Sequence, residues 1–87
     1  QGVYFAVQIL TSSSPRSSSD PLFKKVKYVG QIKESGLYKY YANPTKSMKE
    51  AQLDAKRLQG MGFKGAFVIG LEDGKKISAS EAGRKLL

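Results

Sequence analysis

The apolar and polar positions of this chain change period from one stretch to the next, and the periods assign the elements. Val3 to Leu10, VYFAVQIL, is β-branched and aromatic with Gln8 as its one polar interruption, which predicts a central strand. Thr11 to Asp20, TSSSPRSSSD, is a serine-rich loop too polar to pack. Asp20-Pro21 pairs an N-cap carboxylate with a residue whose missing N–H costs nothing at the first helical position, although PLFKKV leaves room for only a turn or two. Lys27 to Asn43 then reads as two strands around a turn at Glu34-Ser35-Gly36.

Ser47-Met48-Lys49-Glu50 is a capping box, followed by Ala51, Ala55 and Leu58 at helical spacing, so a helix is predicted from here to about Gly60. Phe63 to Leu71 is the fourth strand. Glu72-Asp73-Gly74 is a tight-turn signal that lets KKIS fold back as a short edge strand. The final SEAGRKLL, with Ser80 as its N-cap, is a small docking helix. The order β, short α, β, β, α, β predicts an α+β domain of the βαββαβ ferredoxin-like (RNP-like) kind: a four-stranded antiparallel sheet with its helices on one face, plus the short terminal strand and helix.

Alternation sorts the strands into faces. Val3, Phe5, Val7 and Ile9 share one side of the first strand, and Tyr4, Ala6, Gln8 and Leu10 the other, the side that should stay open. Lysine is rarely buried unpaired, so Leu37, Lys39 and Tyr41 belong with Gln8, and Tyr38 and Tyr40 with the helices. Ala66 and Val68 suit the helix side, which turns Phe67 and Ile69 outward. Packing alone accounts for any single ring. Gln8 and Lys39 on neighbouring strands among apolar groups call for water or a ligand.

A length of 87 residues makes 1–87 a single domain, and 40% apolar with 25% charged residues is ordinary for a folded one. No run approaches the roughly 20 apolar residues of a membrane span, so no membrane insertion is expected. Gln1-Gly2 does not open a signal peptide, and the expectation is a piece of a larger protein. Fifteen Lys and Arg against seven Asp and Glu give a net charge of +8, which favours a polyanionic partner: nucleic acid, a membrane surface or an acidic polysaccharide.

The chain has no His and no Cys. A serine nucleophile would lack its usual base, and no thiolate metal site or disulfide can form. The one adjacent carboxylate pair, Glu72-Asp73, belongs to a turn. A binding module is therefore expected rather than an enzyme, with no catalytic residue, metal or cofactor. KGAFVI, Lys64 to Ile69, has the outline of an RNA-binding RNP1 strand, but it is one residue short and carries a single ring, Phe67.

FAVQILTSS, followed by GLYKYYANPTKSMKEAQLDAKRLQGMGFKGAFVIGLEDGKKIS, resembles a SPOR domain, the sporulation-related repeat, and is most similar to the form at the C-terminus of bacterial N-acetylmuramoyl-L-alanine amidases. The likeness runs from about Val3 to the terminal helix. It implies a non-catalytic, monomeric module in the periplasm or cell envelope whose exposed sheet face binds peptidoglycan glycan strands stripped of their peptides, targeting a cell-wall hydrolase or division protein. It places glycan contacts at Gln8 and Thr11, at Leu37 and Lys39 where the family has an aromatic and an arginine, and at Phe67. With leucine at 37, stacking falls to Tyr41 or Phe67. Asn43 stands where the family has a glycine before Pro44. An RRM-like single-stranded RNA binder and a protein-interaction module are the alternatives.

Overall fold

The computed structural model describes residues 2–17 and 19–87; Gln1 and Ser18 of the expected loop lie outside the described residues. The domain is α+β, a curled five-stranded antiparallel sheet with two helices. Strand β1 (Val3–Ser12) is central, as its apolar run predicts, with β3 (Leu37–Thr45) on one side and β4 (Phe67–Glu72) on the other. Strands β2 (Val29–Glu34) and β5 (Lys75–Ile77) are the edges, giving the order β2-β3-β1-β4-β5 with every neighbouring pair antiparallel.

Two-residue turns close both hairpins, and both turn residues take positive φ: Ser35 at 53° with Gly36 at 78°, and Asp73 at 49° with Gly74 at 82°. That is the pairing whose twist matches the flanking strands.

Helix α1 (Met48–Gly60) begins as its capping signal requires, with the Ser47 hydroxyl accepting from the Glu50 N–H at 3.2 Å. The Ser47 N–H donates to Thr45 Oγ1 at 3.1 Å. The helix includes Gly60 and is capped by Met61, and the positive φ falls on Gly62 instead. Helix α2 (Ala79–Leu86) starts two residues earlier than expected. Its N-cap is Ser78, whose hydroxyl accepts from the Glu81 N–H at 3.0 Å, whereas a start at Ser80 would have left Glu81 unused in the first turn.

Both helices cover one face. Phe5, Val7 and Ile9 of β1, Tyr40 and Ala42 of β3, Ala51, Ala55 and Leu58 of α1, and Ala82 of α2 are buried there. Alanines at the contact let the helices lie close to the sheet, and burying a side chain the size of Leu58 contributes about 1.5–3 kcal/mol. The first crossover is a single 3₁₀ turn, Pro21–Phe23, capped by the Asp20 carboxylate on the Leu22 N–H at 2.9 Å. It plants Phe23 in the core against Tyr40, ring centroids 5.3 Å apart.

Two strand boundaries differ from expectation. β1 continues through Thr11 and Ser12, because β3 is long enough to pair with them. β4 begins at Phe67 and not Phe63: the Phe63 N–H is spent on Leu58 O at the end of α1, and Ala66 N–H closes a turn onto Phe63 O. No helix among the described residues is long and apolar enough to cross a membrane.

Candidate functional site

The helix-free face is built by two irregularities in the β1–β3 ladder. Between Phe5 and Val7 the partner moves from Thr45 to Ala42, so β3 holds the extra residue; Asn43 takes φ 52°, a left-handed conformation asparagine tolerates and glycine would share. Between Gln8 and Leu10 the partner moves only from Tyr41 to Tyr40, so here the extra residue is on β1. Past this bulge the alternation of β1 inverts. Leu10, expected beside Gln8, packs into the helix-side core, and Thr11 moves to the open face opposite Lys39.

The register then brings together the residues picked out in the sequence. Gln8 pairs with Tyr41 on one side and Phe67 on the other; Thr11 pairs with Lys39; Leu37 and Lys39 follow on the same face of β3. Leu37 and Phe67 are exposed, at 38% and 46%. Tyr40 is 2% exposed on the opposite face, with Tyr38 packed against the same core.

Gln8 is buried, and its amide finds partners within the chain. Its Nε2 donates to Thr11 Oγ1 at 3.3 Å, and its Oε1 accepts from Lys76 Nζ at 2.8 Å. Lys39 is hydrogen-bonded and ion-paired to Glu34. The expectation that Gln8 and Lys39 need water or a ligand is thus corrected: each meets a side chain from an edge hairpin. The Lys76 ammonium also lies 5.2 Å from the centroid of the Phe67 ring.

These charges act on one another. The Glu34 carboxyl is held below its ordinary pKa by the hydrogen bond from Lys39 first and the charge of Lys39 second, against an opposing effect of burial, with the charge of Lys76 adding least. The Lys76 ammonium is pushed below its ordinary value by burial first and the like charge of Lys39 second, against the pull of Glu34. Lys39 is paired with the one carboxylate, while Lys76 is hydrogen-bonded to the neutral Gln8, so the centre of the face carries excess positive charge.

Beyond Gln8 the face becomes aromatic. The Tyr41 ring lies directly on Gly30 of β2, its cross-strand partner; a Cβ built there would stand 2.1 Å from Tyr41 Cζ, so the glycine is what lets the ring lie flat. Tyr28 tilts against Tyr41 at 6.3 Å, and Lys46 Nζ sits 5.0 Å from the Tyr4 ring. Under these rings a second apolar cluster, Ala6, Ile32, Ile69 and Leu71, is buried without any helix over it. A groove of about 780 Å³ opens at this end, running from Tyr4, Tyr28 and Tyr41 past Pro44 to Glu50, Asp54 and Arg57 of α1. Burial, then the neighbouring Tyr28, raises the Tyr41 hydroxyl above its ordinary pKa.

Glu34, Lys76 and Tyr28 are the members of this face that residue-level reasoning overlooked. For the first two the signal was present. A two-residue turn at Ser35-Gly36 sets Glu34 opposite Leu37, and one at Asp73-Gly74 sets Lys76 opposite Leu71, on the open side in each case. Tyr28 precedes β2 and continues its alternation, on the side of Gly30, Ile32 and Glu34, next to Tyr41.

Among the described residues no three His, Cys, Asp or Glu side chains come together as a metal site would require. Comparisons with protein-family models, curated proteins and solved structures find no match to this chain.

Proposed function

We propose that this domain is a non-catalytic carbohydrate-binding module of the SPOR type, with a ferredoxin-like arrangement of its first four strands, that holds denuded peptidoglycan glycan on its helix-free sheet face in the periplasm or cell envelope. The observation that carries the reading is the convergence of Gln8, Thr11, Lys39, Tyr41, Phe67 and Lys76 on that one face, polar and cationic groups between flat rings.

The chemistry of the ligand fits this surface. Removing the stem peptide from muramic acid leaves a free lactyl carboxylate on each disaccharide, so denuded glycan is a repeating polyanion with apolar sugar faces. Lys39 and Lys76 complement the carboxylates, and the rings of Phe67 and Tyr41 complement the sugar faces. In intact glycan the same carboxylate is an amide carrying a bulky peptide, which removes the charge and adds a steric block.

Cosedimentation with purified sacculi, before and after amidase digestion, tests the proposal. Retention should rise after digestion. Equal retention on both would remove the selectivity, and tighter binding of single-stranded RNA at the same salt would transfer the face to nucleic acid.

A further inference from the structure

Lys39 on β3 is ion-paired to the carboxylate of Glu34, which stands at the end of β2 beside the hairpin turn. We infer that Glu34 is a built-in competitor of the ligand: its carboxylate occupies the Lys39 ammonium in the free domain, and a carboxylate of the bound glycan takes its place. The inference rests on the proposed function for the identity of the ligand but not for the exchange itself.

The geometry favours exchange over a fixed structural bridge. Glu34 is the less buried partner, its side chain 42% exposed against 19% for Lys39, so it can swing into water while the lysine stays on the face. Lys39 is held at the centre, opposite Thr11 on β1 and Ile32 on β2, and its Nζ would be left facing the incoming ligand. The charged group on Glu34 is Lys39 from β3; Lys76 from β5, hydrogen-bonded to Gln8, acts on it only through its charge. β1 contributes the neutral Gln8 and Thr11, and β4 the Phe67 ring. A lone ammonium pair on this face would attract any anion; the resident carboxylate raises the threshold, so that only a ligand adding sugar contacts to its charge displaces it.

The test is a double-mutant cycle of Glu34→Gln and Lys39→Ala, read with N-acetylmuramic acid, which carries the lactyl carboxylate, and N-acetylglucosamine, which lacks it, at constant ionic strength by amide shift titration. Glu34→Gln should tighten binding of the acid by about twofold to fivefold, the worth of an exposed ion pair, and leave the neutral sugar unchanged. The gain should vanish in the Lys39→Ala background. Unchanged or weaker binding of the acid by Glu34→Gln, or a gain that persists without Lys39, overturns the inference. Amidase-treated sacculi form a separate arm. Wild-type retention there with no gain in Glu34→Gln rejects the competitor and keeps the function. A gain for the monosaccharide acid without wild-type retention on sacculi keeps the competitor and rejects the function. Near-unchanged urea midpoints for each variant establish that the fold is intact.

Discussion

Gln8 and Thr11 lie three residues apart on one strand, yet their side chains meet on the same sheet face, Nε2 to Oγ1 at 3.3 Å. Strict alternation would have put them on opposite faces. The extra residue that β1 carries between Gln8 and Leu10 makes the contact. Thr11→Val should therefore remove the acceptor without moving the strand, costing about 0.5–1.5 kcal/mol of stability and weakening glycan retention. Urea unfolding and sacculus cosedimentation check the two halves. A variant that loses neither would show the hydroxyl to be idle.

Tyr40 is the structural counterpart on the other face. Its ring packs on Phe23, and its hydroxyl accepts from the Arg16 N–H at 2.6 Å and donates to Gln31 Oε1 at 3.1 Å. Tyr40→Ala should cost about 3–5 kcal/mol. Tyr40→Phe should cost nearer 1 kcal/mol and speed hydrogen exchange at the Arg16 amide, since the serine-rich loop loses its anchor. Equal losses in the two variants would mean that the hydroxyl, and not the ring, dominates.

Gly30→Ala should displace the Tyr41 ring and destabilise the domain by about 1–3 kcal/mol, the usual penalty for forcing atoms into filled space. In a Tyr41→Ala background the same change should cost little. Additive losses in the double variant would show that the ring and the glycine are not coupled.

Glu34 sets an acid-side dependence. Its folded-state pKa is depressed below the ordinary 4.5, so the Lys39 pair stabilises the fold above about that pH and the contribution is lost as pH falls through the lower folded value. Carboxyl carbon shifts should place the Glu34 midpoint below 4.5 in the wild type and back near it in Lys39→Ala. A wild-type midpoint at or above 4.5 contradicts the pairing.

Glycan affinity should fall as salt rises, because the contacts of Lys39 and Lys76 are screened over about 8–10 Å at physiological ionic strength, while ring stacking leaves a residual affinity. Retention that vanishes at moderate salt would reduce the interaction to charge alone.

Local rules were enough for much of this architecture. Serine and glycine at 35–36, aspartate and glycine at 73–74, and Ser47 with Glu50 select turns and a helix start through backbone conformations that depend on a few neighbours. The period-2 rule put Lys39 and Phe67 on one face and Tyr40 on the other, because within an unbroken strand side-chain direction follows from position alone. The start of α2 was also local: Ser78 with Glu81 carries the same capping spacing as Ser47 with Glu50. What the tertiary structure decided are the facts that need two distant segments at once. The bulge that turns Leu10 inward and Thr11 outward exists only in the register of β1 against β3, and Lys76 reaches Gln8 across 68 residues because β4 lies between their strands. Pairing register balances backbone hydrogen bonds and burial over a whole sheet, so it has no counterpart in the spacing along one strand.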